Sequence, residues 1–146
     1  MNILIAVDLS PSSEKVIAQG QSLAQAYLAK IWLLHVAPSD PDFVGYDVGP
    51  QTVRDAVAKK FHVEHTQIQA FSARLRDAGL DATALLVQGA TSDTILKEAE
   101  QLQAEVIVLG SHGRGMAKQL LLGSTSSSVI KHSKVPVLVV PTHERT

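Results

Sequence analysis

Residues 105–115 read Glu105-Val106-Ile107-Val108-Leu109-Gly110-Ser111-His112-Gly113-Arg114-Gly115. Apolar residues follow one another from Val106 to Leu109 without alternation and run straight into Gly110. A short unbroken apolar run that stops at a glycine reads as a strand, here Glu105–Leu109, buried on both faces as in a parallel sheet. A glycine-bearing loop comes next, and nine residues, Arg114 to Leu122, lead to Gly123-Ser124-Thr125. A helix then runs from about Ser124 to His132, with Lys131, His132 and Lys134 at its negative end. Strand, glycine loop and helix in this order are how a parallel sheet builds a ligand site at the carboxyl end of a strand.

The same alternation extends in both directions. Ile3–Val7 is a second such run, cut at Asp8. Asp8 to Glu14 is rich in N-cap residues, and Pro11 suits a first helical turn. Val16, Gly20, Leu23, Ala24, Tyr27 and Leu28 recur at helical spacing. Lys30–Val36 is a strand, and residues 37–50, with Pro38, Pro41, Gly45, Gly49 and Pro50, are a long loop. Gln51–Ala78 is a long helix whose stripe holds Val53, Val57, Phe61, Ile68, Phe71 and Leu75 and which stops at Gly79. Strand Ala82–Val87, helix Thr91–Leu102 and strand Val135–Val140 complete the set, before a polar tail, Thr142–Thr146. Alternating strands and helices predict an α/β fold. The sheet is expected to be doubly wound, parallel, five-stranded and Rossmann-like, in the order 3-2-1-4-5 with helices on both faces, as one domain over residues 1–146.

Composition narrows the partners. A formal net charge of −1 gives no general pull towards nucleic acid or an anionic membrane. The chain has no cysteine, so disulfides, thiolate metal sites and a cysteine nucleophile are excluded. The N-terminus lacks a basic n-region, and no stretch nears the ~18 apolar residues of a spanning helix. The expected location is the cytoplasm.

In this fold strands one and four are neighbours, so Asp8 with Ser10 faces the Gly110 loop across the crevice at the switch in winding. Gly110, Gly113 and Gly123 are expected to allow close approach of a ligand and positive φ. Gly123-Ser124-Thr125 opens a helix, which makes its N–H groups an anion site, and Arg114 can add a charge-assisted contact. His112 either touches phosphate or serves only the loop. Two other phosphate patterns fail: no Gly-Lys pair exists for a Walker A loop, and the loop after the first strand has no glycine.

Gly110-x2-Gly113-x9-Gly123-Ser124 resembles the G-2x-G-9x-G-[S/T] nucleotide motif of the universal stress proteins that bind ATP. The likeness covers the whole chain. Ile5-Ala6-Val7-Asp8-Leu9-Ser10, Leu34-His35-Val36, Val87-Gln88-Gly89, Val108-Leu109-Gly110-Ser111-His112-Gly113 and Val135-Pro136-Val137-Leu138-Val139-Val140-Pro141 resemble family segments in family order. The resemblance implies ATP as ligand, with ADP and AMP as alternatives, and Mg2+ or Mn2+ riding on the phosphates. It assigns the ribose to Asp8, the adenine to the backbones of Ala6 and Val36, and the phosphates to 110–115 and 123–125. The candidate contact set is Ala6, Asp8, Ser10, Val36, Leu109, Gly110, His112, Gly113, Arg114, Gly115, Gly123, Ser124 and Thr125.

Other groups favour structural readings. His62 and His65 flank Glu64 on one helix with no third ligand in view, so a solvated face outweighs a metal site. Lys59, Lys60, Arg74 and Arg76 read as solvated, and Trp32 and His35 as packed. Ser111 is not in a G-x-S-x-G elbow. No acidic pair accompanies the glycines, so a nucleotide-dependent regulatory module outweighs an enzyme, with a slow ATPase as the rival; the resemblance implies that such a module serves a stress response or an unidentified protein partner. Val135–Val140 is apolar throughout and falls at a sheet edge, which predicts a homodimer joined through that strand, with higher oligomers left open.

Overall fold

The computed structural model describes residues 1–38, 51–112 and 122–142. β1 (Asn2–Ala6) forms the middle of the sheet, and its Ile3, Leu4 and Ile5 are wholly buried. They are buried on both faces because each face carries its own helix layer. α1 (Ser13–Tyr27) follows, then β2 (Lys30–Ala37), α2 (Gln51–Asp77), β3 (Ala82–Gln88), α3 (Thr91–Gln101), β4 (Val106–Gly110), α4 (Ser124–His132) and β5 (Val137–Val140). The five strands are parallel and ordered β3-β2-β1-β4-β5, as the alternation predicted.

The side-chain alternation of the strands divides the core in two. Ile3, Ile5, Ile31, Leu33 and Val108 face Val16, Ile17 and Ala24 of α1 and Ile68 and Leu75 of α2. Leu4, Ala6, Leu34, Val36, Ile107 and Leu109 face Ile95 and Ala99 of α3 and Val129 of α4. Gly20 sets the closeness of the first layer: a Cβ there would overlap Ile5 Cδ1, so α1 rests on β1 through bare backbone.

Three local expectations change. α1 begins at Ser13 and leaves Pro11 in the preceding turn; its N-cap, Ser12, makes no side-chain cap. The Ser12 hydroxyl is 2.8 Å from that of Ser10, which is itself bound to Asp8, so these oxygens serve the loop and not the helix. β5 is shorter than Val135–Val140, because the Ser133 hydroxyl donates to the Val135 carbonyl at 2.7 Å and accepts its N–H at 3.1 Å. Ala37 belongs to β2; the rest of the expected 37–50 loop beyond Pro38 lies outside the described residues, as does the tail from 143. Gly79 stops α2 as expected, with φ +89° and its N–H on the Arg76 carbonyl.

Candidate functional site

β1 pairs with β2 on one side and β4 on the other, so the carboxyl ends of these three strands meet at the switch in winding. A cavity of about 440 Å³ opens there. Ala6, Asp8, Val36, Leu109, Gly110, His112, Gly123, Ser124 and Thr125 from the expected set all line it. Ser10 does not line it, and Gly113, Arg114 and Gly115 fall outside the described residues.

Asp8 is fixed by its own loop. Its Oδ1 accepts the Ser10 N–H at 2.9 Å, the Ser10 hydroxyl at 2.6 Å and the Ser13 hydroxyl at 3.2 Å. Ser10 therefore acts on Asp8 in this structure. To close this turn Leu9 takes φ +62°, a left-handed conformation rare for a leucine, while its side chain packs on the α1 side of the core. Asp8 Oδ2 is buried and has no hydrogen-bond partner among the described residues. A buried carboxylate oxygen left unpaired is costly, and a ligand hydroxyl would satisfy it.

The glycines work differently from the expectation. Gly110 and Gly123 are absent from the positive-φ positions; Gly123 is extended at φ −65°, ψ 163°. Gly110 is required by space: a Cβ there would lie 2.8 Å from Thr142 Cγ2 and 3.3 Å from Val16 Cγ2. Beyond β4 the backbone is laced to the last strand's exit. The Ser111 N–H donates to the Val140 carbonyl at 2.8 Å, the Thr142 N–H to Ser111 Oγ at 3.0 Å, and the His112 N–H to Thr142 Oγ1 at 3.1 Å. Thr142 Oγ1 in turn donates to the His112 carbonyl at 3.1 Å. His112 is buried, and its Nδ1 is 3.0 Å from Ser111 Oγ.

This lacing positions α4. The Gly123 N–H and the Ser126 hydroxyl both donate to the Ser111 carbonyl, at 2.8 and 2.9 Å, which draws the helix start towards the end of β4. Gly123 is the N-cap, and no side chain caps the helix among the described residues. First-turn N–H groups with no cap, at the positive end of a helix dipole and bordering a cavity, suit an anionic group.

His35, read as packed, and Glu64 and Lys60, read as part of a solvated helix face, complete the wall. His35 is buried, with Nδ1 2.9 Å from the Val7 carbonyl and Nε2 2.5 Å from Glu64 Oε2. A carbonyl only accepts, so Nδ1 carries a proton. Glu64 and Lys60, one turn apart on α2, both line the cavity. Glu64 could have been noticed, because it falls three residues after Phe61 and four before Ile68, a charge on an apolar stripe. His62 and His65 are exposed, and the described residues contain no group of three possible metal ligands. Arg74 binds the carboxylate of Glu14 on α1 through both terminal nitrogens, at 2.9 and 2.8 Å. This hydrogen-bonded guanidinium holds the exposed Glu14 carboxyl below its ordinary value.

Fold and crevice together define a doubly wound α/β protein with a cavity where its winding reverses, bordered by the N-terminus of α4. Residues 1–141 match the sequence profile of the universal stress protein family, and the chain belongs to that family. It is 29% identical over 138 residues to a universal stress protein of Thermus aquaticus encoded beside a QAH/OAS sulfhydrylase, covering 94% of this chain and 96% of that one. Universal stress protein MJ0577 of Methanocaldococcus jannaschii is 42% identical over a shorter stretch of 66 residues, 45% of this chain and 41% of its own. The solved structure of MJ0577 superposes with a TM-score of 0.80 at 27% identity, covering 99% of this chain and 96% of that one. A universal stress protein of Archaeoglobus fulgidus solved in complex with dAMP shares the fold, with a TM-score of 0.67 at 20% identity over 96% of this chain and 97% of that one.

Proposed function

We propose that this crevice binds an adenine nucleotide, with ATP the preferred ligand, and that the chain is a single nucleotide-binding domain acting as a nucleotide-dependent regulatory module in the cytoplasm. The observation that carries this reading is a pair of unmet needs at one cavity: Asp8, which lines it and whose buried Oδ2 has no partner among the described residues, and the uncapped start of α4. One wants a hydroxyl donor and the other an anion, and a nucleotide supplies both. The cavity's size is within the range for small-molecule sites, roughly 300–1,000 Å³. Leu34, Val36, Ile95 and Leu109 give it an apolar wall for a base. The A. fulgidus relative, bound to dAMP, holds an adenine nucleotide on this fold.

In this reading Asp8 takes a ribose hydroxyl, the backbones of Ala6 and Val36 face the adenine, and Gly110–Gly115 with Gly123–Thr125 enclose the phosphates. Mg2+ or Mn2+ enters with the phosphates, and phosphate oxygens supply its ligands. Both ring nitrogens of His35 are engaged, which leaves it no free lone pair to act as a base.

Calorimetry with ATP, AMP, adenosine and GTP tests the proposal. ATP binds more tightly than adenosine, and GTP more weakly than ATP. Gly123→Val abolishes binding while the circular dichroism spectrum stays folded, because a β-branched side chain intrudes where phosphate sits. Equal affinity for adenosine and ATP refutes the phosphate assignment.

A further inference from the structure

The bridge between His35 and Glu64 depends on a single proton. His35 Nδ1 is committed as a donor to the Val7 carbonyl, just past β1, at 2.9 Å. Its Nε2 stands 2.5 Å from Glu64 Oε2, a separation that needs a second proton between the two atoms. That proton sits on the ring, giving imidazolium and carboxylate, or on the carboxyl, giving neutral imidazole and acid; the bridge exists in both cases. When it leaves, a ring lone pair faces a carboxylate oxygen. The two side chains are 6% and 14% exposed, so little water reaches either group, and the contact turns from attractive to repulsive.

Glu64 is also where the first half of α2 meets the sheet. Between residues 55 and 67 only Phe61 and Glu64 are half-buried; the others are exposed, and full burial begins at Ile68. Lys60 and Glu64 of this half line the crevice, as does His35 itself. The first half of α2 is thus a cavity wall with little apolar burial to hold it, and the bridge to His35 carries a large share of its attachment. The other ionisable side chains lining the cavity among the described residues are Asp8 beyond β1, Lys60 on α2 and His112 beyond β4; α1, α3 and α4 bring none there. Asp55, Lys59, Lys60, His62 and His65 on α2 are exposed, as are Glu14 and Lys15 on α1, and β3 has no ionisable side chain.

We propose that the His35–Glu64 pair is a proton-operated latch: with its shared proton it holds the first half of α2 in place as the crevice wall, and without that proton it lets this half go, so that the crevice loosens as pH rises. The latch belongs to the fold and does not depend on which ligand the crevice takes. For any ligand there, Glu64 is a positioning residue that acts through His35.

Hydrogen exchange of the unliganded protein reads the latch directly, with rates expressed as protection factors to remove the intrinsic pH dependence of exchange. Between about pH 6 and about pH 9, the range in which histidine chemistry changes, protection of amides 56–66 in wild type falls about tenfold, as expected for a lost charge-assisted hydrogen bond. Protection of amides 69–76 stays constant. In Glu64→Gln the carboxamide donates to neutral imidazole and accepts from imidazolium, so the bridge survives without a titrating proton and protection stays high at both pH values. Glu64→Ala has no bridge, and protection of 56–66 is low at both. Constant protection in wild type, or a glutamine variant that loses protection as wild type does, overturns the latch. ATP titrated at the same two pH values tests the wall: its affinity falls severalfold more with pH in wild type than in Glu64→Gln. A loosened α2 with the same ATP profile in both proteins refutes the positioning role. If ATP binds at neither pH, the nucleotide reading falls, and the exchange pattern still decides the latch.

Discussion

Replacing Gly110 by alanine tests how the crevice is held together. The new Cβ would stand 2.8 Å from Thr142 Cγ2, well inside ordinary contact, and 3.3 Å from Val16 Cγ2. Thr142 is the group that must yield, and its Oγ1 accepts the His112 N–H and donates to the His112 carbonyl. Overpacking costs about 1 kcal/mol or more. Losing the two hydrogen bonds adds about 1 kcal/mol each. Restricting the unfolded chain returns roughly 0.5 kcal/mol, as is usual for glycine to alanine. The expected net loss is about 2–3 kcal/mol, a shift of roughly 1 M in the urea midpoint. Urea denaturation of Gly110→Ala, Thr142→Ala and the double variant resolves the mechanism. With Thr142 shortened the main clash is gone and its bonds are already lost, so adding Gly110→Ala costs under about 1 kcal/mol more. Equal cost in both backgrounds, or a cost below about 0.5 kcal/mol in the wild type, refutes the reasoning.

Three further outcomes are expected. Light scattering on a sizing column gives twice the chain mass at micromolar concentration, and Leu138→Glu on the half-exposed edge strand β5 gives a monomer; a wild-type monomer rejects pairing through β5. Phosphate release from ATP with Mg2+ or Mn2+ stays far below the ~10 s⁻¹ of a typical enzyme, and a rate near that value assigns the protein to catalysis. The lowered Glu14 carboxyl contributes stability that is full above its ordinary value of 4.5 and is lost as pH falls through the lower folded value. Because both partners are more than half exposed, Arg74→Ala lowers stability at pH 7 by less than about 1 kcal/mol, and the difference from wild type closes towards pH 3 in acid-titrated thermal melts.

The strand order and the two helix layers could be read from the chain because they follow from apolar periodicity and connection rules. Val106–Leu109 and Ile3–Val7 lack alternation, as strands buried on both faces of a parallel sheet do. Asp8, Gly110 and Gly123 were recognisable because each stands at an element boundary. What escaped the sequence came from long-range contacts. The clash that demands glycine at 110 arises from Thr142, and nothing near Gly110 in sequence announces it. Glu64 reaches His35 across 29 positions, and its only local trace is a charge on an apolar stripe. The start of α1 departs from the sequence pattern because Pro11 suits a first helical turn, whereas the Ser10 and Ser12 hydroxyls beside it serve Asp8 and each other.

The left-handed turn at Leu9 decides when the entropy of this site is spent. A leucine at φ +62° costs about 1 kcal/mol or more and persists only where its surroundings enforce it. Here Ser10 and Ser13 grip Asp8 from the polar side while the Leu9 side chain anchors the same turn in the core. The acceptor is therefore preorganised: folding has already met the ordering cost that a mobile loop would charge to each ligand. On the proposed nucleotide reading, a glycine at position 9 would ease the backbone and still weaken binding, because each arriving ligand would first have to freeze the turn.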